Sequence, residues 1–166
     1  MTHSHAHAVP YKLLAAALLL LSGQGHAAGS TSQNFNVTAS VVSACSIATI
    51  NDLAFGTYSP TLGNSTSQTS ASVTCSLGTT YYMTVNQGNN YSGGRRMSDG
   101  SGHYLNYDVT TDPTRLTSWP NSGTTVSGLG TGLAIATPIY GSLPASQGNT
   151  APPGSYTDVL QFTVSW

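Results

Sequence analysis

The feature that most constrains the fold of this chain is a period-two alternation of apolar and polar residues, repeated in short runs. Glycine and proline separate the runs, and no segment carries helical periodicity over a useful length. Such runs are typical of half-buried β-strands. The clearest lie at residues 35–41, 71–75, 81–85, 105–109, 133–139 and 160–166. The sequence therefore predicts one all-β domain, an antiparallel sandwich with its core between two sheets.

The first 27 residues are organised like a secretory signal. Lys12 precedes an apolar stretch at residues 13–21, and the small residues Gly25 and Ala27 stand at the two positions that a signal peptidase reads. We expect cleavage after Ala27. A membrane anchor is the weaker interpretation, because the apolar stretch is about half the roughly 20 residues that span a bilayer.

Histidines near the start could suggest a metal site, since imidazole is a common zinc and copper ligand. His3, His5 and His7 alternate, but they lie inside the segment that we expect to be removed, and His103 is the histidine that remains. The mature sequence shows no metal-ligand spacing. We therefore expect neither a metal nor a cofactor.

The charge content excludes a further class of function. Charged residues make up 5% of the chain, and beyond Lys12 it contains neither lysine nor glutamate. Because no basic field is available to hold phosphates, we expect no nucleic-acid partner. A low net charge does little to keep proteins apart in solution, so the composition suits a protein that polymerises.

The titratable residues give little support to an enzyme, because acid–base catalysis needs groups of matched proton affinity. Asp99, Ser101 and His103 could form a triad, but they surround one turn, whereas a triad draws its members from separate elements. A glycosidase would need two acids flanking a sugar bond. The candidates for such a pair are Asp108, Asp112 and Asp158. Nothing in the sequence brings them together, so we expect no small-molecule substrate and no enzymatic activity.

Cys45 and Cys75 are the two cysteines of the chain. In an exported protein they favour a disulfide, because the compartments that it enters are oxidising. Their spacing is much wider than the Cys-x-x-Cys of a redox-active pair. We predict a structural disulfide, which in the chain-entropy model contributes about 3 to 4 kcal/mol.

Segments rich in glycine, serine, asparagine and proline predict exposed connections at residues 61–69, 88–94 and 144–153. Asp99-Gly100 is a tight-turn signal, and Arg95-Arg96 is interpreted as the start of a strand. The many aromatic residues could form a carbohydrate-binding face, but more of them occupy the apolar phase of predicted strands. Those are Tyr81, Tyr107, Phe162 and Trp166.

The alternating run at residues 35–41 begins soon after the expected cleavage site, and only the polar residues 28–34 precede it in the mature chain. A terminal strand can pair within its own domain, or it can add to an exposed sheet edge on a neighbour. The pattern alone leaves both possibilities open.

A set of short motifs, each weak by itself, stands in a specific order along nearly all of the mature chain. They are Phe35-x-Val37 leading to Cys45, Phe55-Gly56-x-Tyr58, Cys75 after an alternating run, Leu105-x-Tyr107, Tyr140-Gly141, Gln147, and Pro153-Gly154-x-Tyr156-x-Asp158. Behind a signal sequence, this set resembles the spore coat protein U domain family, whose relatives include subunits of archaic chaperone–usher pili of the Csu type. The final Trp166 departs from the Phe or Tyr that such subunits often carry, but it keeps the aromatic character.

The resemblance implies an immunoglobulin-like, pilin-type sandwich at residues 45–166 that lacks its last strand. A periplasmic chaperone would fill the open groove first, and at the outer-membrane usher the N-terminal segment of the next subunit would replace it. Residues 28–44 would form this donor-strand segment, with four side chains as its plug: Phe35, Val37, Ala39 and Val41. The terminal strand would supply the acceptor edge and chaperone handle: Leu160, Phe162, Val164 and Trp166.

The resemblance therefore implies a structural subunit of a surface pilus of a Gram-negative bacterium, exported through the periplasm and active in attachment and biofilm formation. Its partners would be further copies of itself or sister pilins, the chaperone and the usher. Because such head-to-tail contacts do not close, they give fibres. Two alternatives stay open: a coat component of a spore or resting cell, and a secreted carbohydrate-binding sandwich that stays monomeric.

Overall fold

The computed structural model describes residues 28–123, 125–145, 147 and 151–166. The predicted signal at residues 1–27 lies outside these ranges, as does part of the predicted connection at residues 144–153. The chain divides into two compact units, Met1–Ala39 and Ser40–Trp166. No helix in the described ranges is long and apolar enough to cross a membrane.

In the first unit, residues 28–39 are exposed and belong to no strand. The second unit contains nine strands within its described residues. They are β1 (Cys45–Ile50), β2 (Ser65–Cys75), β3 (Thr80–Val85), β4 (Arg96–Ser98), β5 (Tyr104–Asn106), β6 (Asp108–Thr110), β7 (Ser127–Leu129), β8 (Ala134–Leu143) and β9 (Phe162–Ser165).

These strands form two main sheets and one hairpin. The first sheet has the order β1-β2-β8-β6, the second has the order β7-β3-β9, and β4 pairs with β5 separately. Every pairing between the strands is antiparallel. The all-β antiparallel fold predicted from the alternation is confirmed.

The core lies between the two sheets, because the long strands turn alternate side chains inward. On β2 and β3 these are Ala71, Val73, Cys75, Tyr81, Met83 and Val85. The remaining core residues are Leu105, Tyr107, Val109, Trp119, Ile139 and Leu143. Each large apolar side chain that is buried stabilises the fold by about 1.5 to 3 kcal/mol. The alternation that predicts the strands is thus also the main source of stability.

The predicted disulfide between Cys45 and Cys75 is present. The two cysteines are direct partners in the register of β1 and β2. The bond therefore ties the edge strand β1 to the interior strand β2. Because Cys45 is the first residue of β1, the N-terminal segment joins the sandwich at this bond.

A buried arginine connects the two main sheets. Arg95 is 8% exposed, and its guanidinium donates four hydrogen bonds of 3.0 to 3.1 Å. The acceptors are the carbonyl oxygens of Val85, Asn86 and Trp119 and Oδ1 of Asp108. Since Val85 ends β3 and Asp108 begins β6, one side chain holds the second sheet against the first.

Two predicted strands differ from the structure. Residues 35–41 form no strand in the single chain, although their alternation is regular. The run at residues 105–109 is interrupted at Tyr107, whose backbone N–H donates to the carbonyl of Arg95 at 3.0 Å. The chain leaves the β4–β5 hairpin at this point and pairs with β8 as β6.

The bounds of other strands also needed correction. β2 begins at Ser65, inside the predicted connection at residues 61–69, because this polar stretch pairs with the end of β8. Neither β1 nor β7 was predicted. β1 is exposed over most of its length and β7 has three residues, so neither shows an alternation of buried side chains.

Candidate strand-acceptor groove

An open groove lies where the two main sheets end. β1 is the last strand of the first sheet, and β9 is the last strand of the second, with β3 as its strand partner in the described chain. The groove has a volume of about 440 Å³. Core side chains form its floor: Val85, Val109 and Ile139. One side carries Ile50, which ends β1, with Leu53 and Phe55 after it, and the other carries Leu160 just before β9 and Phe162, its first residue.

A second cavity, of about 850 Å³, continues this groove. Leu53, Phe55, Met97 and Tyr156 line both cavities, so the two form one cleft. Residues 50–61 make one wall of the cleft. The other wall is the segment at residues 151–161, which leads into β9 and which we call the strap.

The cleft suits an extended polypeptide as its ligand. Its walls expose apolar side chains, among them Ile50 at 50% and Val159 at 63%, and exposed apolar surface marks a binding site. A strand added to the free edge of β9 would gain backbone hydrogen bonds, and its alternate side chains would reach the floor. The geometry thus offers a strand edge for backbone hydrogen bonds and an apolar cleft for alternate side chains.

The predicted acceptor residues are divided between the cleft and its continuation. Leu160 and Phe162 line the cleft, and the Phe162 ring packs edge-on against Trp119 at 5.6 Å between centroids. Val164 is half-buried further along β9, and Trp166 is 59% exposed. Their role as acceptor edge and chaperone handle stays a prediction.

The predicted donor residues are exposed in the single chain. Phe35, Val37 and Val41 are 86%, 85% and 90% exposed, and Ala39 is exposed as well. Large apolar side chains at such exposure gain stability when a partner covers them. Their role as a donor strand stays a prediction.

Most of the motif residues shape the cleft. Those that line it are Phe55, Gly56, Tyr58, Pro153, Gly154, Tyr156 and Asp158. Gly56 has a φ of 66°, in the left-handed region that favours glycine. A Cβ on Gly141 would lie 2.7 Å from Leu53 and 2.9 Å from Phe55, so its absence lets this wall pack on β8. The neighbouring Tyr140 ring faces the Arg115 guanidinium at 5.8 Å.

Asp158 fastens the strap to the body of the sandwich. Its Oδ2 accepts a hydrogen bond from the Tyr107 hydroxyl at 2.7 Å, and its Oδ1 accepts from Asn89 N–H and the Asn90 side chain at 2.9 and 3.0 Å. A Cβ on Gly88 would collide with this carboxylate. Burial, reinforced by Asp158, raises the pKa of Tyr107, so its hydroxyl remains a donor at physiological pH.

Replacing Asp158 by Asn is expected to lower the free energy of unfolding by about 1 to 3 kcal/mol, because an amide nitrogen cannot accept the bonds that the carboxylate accepts. Urea denaturation of the full mature chain measures this change. Asp52→Asn is the matched control, since Asp52 is an exposed aspartate on the same cleft. Its effect should stay within about 0.5 kcal/mol, and equal losses for both variants would contradict the role of Asp158.

Gln147 fixes the chain shortly before the strap. It is 7% exposed, its Oε1 accepts from the Asn106 N–H at 2.6 Å, and its Nε2 donates to the Asn106 carbonyl at 2.9 Å. Nε2 also donates to the carbonyl of Pro144 at 3.1 Å. A side-chain amide therefore pairs with β5 much as a strand backbone does.

The catalytic candidates from the sequence take part in local hydrogen bonds of the fold. Asp99 Oδ2 lies 2.6 Å from His103 Nδ1, but Ser101 contributes its backbone N–H, and that bond is the main cause of the lowered pKa of Asp99. Each of the other aspartates has its own partners: Asp108 pairs with Arg95, Asp112 accepts from Thr114 and Thr117, and Asp158 holds the strap. In the described ranges, no group of three or more His, Cys, Asp or Glu residues could hold a metal ion.

Comparisons with known proteins give a matching family, a similar sequence and a similar fold. A family model described as the Spore Coat Protein U domain matches residues 31–163. Protein U of Myxococcus xanthus is 38% identical over 170 residues, covering 92% of this chain and 93% of that protein. A similar fold occurs in the CsuC–CsuE chaperone–tip adhesion subunit pre-assembly complex from archaic chaperone–usher Csu pili of Acinetobacter baumannii, with a TM-score of 0.50 and 21% identity. That match covers 76% of this chain, which spans 40% of the Csu chain.

Proposed function

Because the chain belongs to the Spore Coat Protein U domain family, we propose that the mature protein is a structural subunit of a bacterial surface fibre that polymerises by donor-strand exchange. One observation carries the proposal. The sandwich leaves a cleft with exposed apolar walls beside the edge of β9 that has no strand partner in the described chain, while the alternating segment at residues 35–41 has exposed side chains and no strand partner. In a polymer, that segment of one copy would fill the cleft of the next.

The side-chain pattern of the segment fits the cleft. A strand on the edge of β9 would direct every second residue to the floor. The apolar set Phe35, Val37, Ala39 and Val41 has this spacing, and the residues between them are polar. The floor and walls that would receive them are apolar. Residues 28–44 would thus act as the donor segment of a sandwich formed by residues 45–166.

A subunit with exposed apolar side chains in its cleft and N-terminal segment needs cover before it assembles, because exposed apolar surface leads to aggregation. A periplasmic chaperone would lend a strand to the cleft, and an outer-membrane usher would coordinate the exchange. The strand with Leu160, Phe162, Val164 and Trp166 would be the acceptor edge and the handle for the chaperone. Support comes from the Csu structure of similar fold, which is a complex of a chaperone with a tip adhesion subunit.

The destination of the protein follows from this assembly route. Residues 1–27 would direct export to the periplasm of a Gram-negative bacterium, and polymers of the mature chain, alone or with sister pilins, would extend from the cell surface. Because donor and acceptor are different surfaces of one subunit, the contact is open-ended and gives a fibre. Attachment and biofilm formation would be the role of that fibre.

Deleting residues 28–41 tests the proposal. The shortened subunit should still bind its chaperone, because the cleft is unchanged, but it should not extend a fibre. Electron microscopy of cells that coexpress the subunit with the chaperone and usher gives the measurement. The control deletion removes the polar residues 28–33 and keeps the four donor side chains, so fibres should form. Normal fibres from the longer deletion would overturn the proposal.

A coat component is the second candidate, and the description of the matching family, Spore Coat Protein U domain, favours it. Both candidates use the same cleft and donor segment. They differ in the location of the polymer, which is a surface fibre in one case and a coat in the other. Genes for a chaperone and usher beside this gene support the pilus, and labelling of resting cells separates a coat from fibres.

A monomeric carbohydrate-binding sandwich has less support. Tyr81, Tyr107 and Trp119 are 2%, 7% and 3% exposed, so these rings belong to the core and cannot stack on a sugar. A purified chain that stays monomeric and binds a glycan would favour this alternative over the fibre.

A further inference from the structure

Three exposed leucines flank the point where the N-terminal segment joins the sandwich. Leu77 is 82% exposed in the turn between β2 and β3, Leu129 is 60% exposed at the end of β7, and Leu133 is 72% exposed just before β8. We call these three residues the root patch. Single exposed leucines are common on protein surfaces, so the informative property of these three is their shared location.

Backbone hydrogen bonds bring the root patch together. One segment carries Leu77, and the other carries Leu129 and Leu133. Three bonds join the segments: Gly78 N–H to Gly130 O at 2.9 Å, Gly130 N–H to Thr79 O at 2.8 Å, and Gly132 N–H to Cys75 O at 3.0 Å. The leucines are therefore held at one end of the sandwich by regular backbone pairing.

The N-terminal segment leaves the sandwich at the same end. The N–H of Ser76 donates to the carbonyl of Ala44 at 2.9 Å, and the N–H of Ala44 donates to Ser76 Oγ at 3.2 Å. The next residue, Cys45, is bonded to Cys75. The exit point is thus fixed directly beside Leu77.

The free tether between the exit point and the proposed donor strand is short. From Val41, the last donor side chain, to the fixed Ala44 is a distance of at most about 10 Å for an extended chain. A neighbour that receives the donor strand cannot stand far from this end of the sandwich. It must lie against the surface that carries the root patch.

We propose that the root patch is a second contact between successive copies of this chain, packing on the neighbour beside its cleft. The proposal rests on the function proposed above. The strand pairs within the described sandwich are antiparallel, and a donor that follows this rule on β9 ends near the start of β9. The strap, which leads into the start of β9, lines the second cavity together with Pro60 and Thr61, and these are followed by Leu62, which is 87% exposed. Leu62 is accordingly the residue that receives the patch.

Leu77→Asp in the full mature chain tests the proposal. We expect fibre growth, followed by light scattering, to slow at least tenfold, because a carboxylate at the contact disfavours burial. Leu116→Asp is the matched control: Leu116 is 84% exposed beside β6, at the sheet edge opposite β1, and its variant should grow normally. Adding Leu62→Arg to Leu77→Asp should restore growth through charge pairing.

A second measurement separates this inference from the proposed function. A fluorescent peptide of residues 28–41 should bind the cleft of full-length Leu77→Asp as tightly as that of the unmodified chain. Normal peptide binding with slowed growth and rescue by Leu62→Arg supports the root patch. Normal binding with unchanged growth, or with no rescue, overturns it. A peptide that binds neither chain overturns donor-strand exchange itself, and with it the patch.

Discussion

A chain carrying Val37→Asp should fold normally yet lose fibre growth by more than about 100-fold. Val37 is 85% exposed in the single chain, so the substitution removes no described packing from the sandwich. In a polymer the same side chain would face the apolar floor of a neighbour's cleft. Burying an unpaired carboxylate there costs several kcal/mol, and each 1.4 kcal/mol is about tenfold in affinity. Growth of purified chains, followed by light scattering and electron microscopy, measures the loss.

The adjacent residue supplies a matched control for this prediction. Asn36 is exposed and has the opposite phase in the alternation, so in a donor strand it would face solvent. Asn36→Asp introduces the same charge one residue away and should leave growth within about twofold of the unmodified chain. If both variants polymerise equally well, residues 35–41 do not act as an inserted strand.

Arg95→Met should lower the free energy of unfolding by about 3 to 5 kcal/mol, since it removes four hydrogen bonds that the buried guanidinium donates and leaves carbonyl groups inside the sandwich without a donor. The Asp108 carboxylate would lose its cation, and the carbonyls of Val85 and Trp119 would lose a donor inside the sandwich. Because Asp108 is 39% exposed, solvent screens part of this cost, and the unpaired carbonyls supply much of the remainder. Urea unfolding of the mature chain gives the value.

Arg96→Met is the control for the arginine prediction. Arg96 donates to the carbonyl of Asn90 at 2.8 Å and lies 3.9 Å from the centroid of the Tyr104 ring, but it does not join the two main sheets. Its loss should cost about 1 kcal/mol, the range of a partly exposed cation–π contact. A similar loss for both arginines would mean that Arg95 does not connect the sheets.

Alternation predicted the strands whose inner faces are buried. The apolar residues of the alternating pattern on β2 and β3 are the same residues that pack in the core. On β2 they are Ala71, Val73 and Cys75. The disulfide was predictable for a related reason, because export and the wide cysteine spacing leave few other uses for the pair. Where one face of a strand is buried along its whole length, the sequence alone is sufficient to predict the strand.

The same signal fails where pairing does not depend on apolar side chains. Residues 65–70 are polar, yet they pair with β8 through their backbone, and β1 is a mostly exposed edge. At residues 35–41 the reverse holds, because alternation is present without a partner in the chain. An alternating pattern shows which side chains become buried when the strand pairs. It does not show whether the same chain or another molecule buries them.

Two parts of the site come together only in the folded chain. The wall at residues 50–61 has no regular period, so its position opposite the strap becomes visible only in three dimensions. Arg95 reads in the sequence as an ordinary residue at the start of a strand, and its four acceptors come from three distant segments. The low content of charged residues is the sequence feature that could have pointed to a structural role for Arg95.

The central claim is that residues 35–41 of one copy lie in the cleft of the next. Cryo-electron microscopy of the assembled fibre tests it most directly. We predict density for an added strand on the free edge of β9, with Phe35, Val37, Ala39 and Val41 directed to the floor and the chain continuing into a neighbouring subunit. An empty cleft, or one filled by the N-terminal segment of the same subunit, would contradict the account.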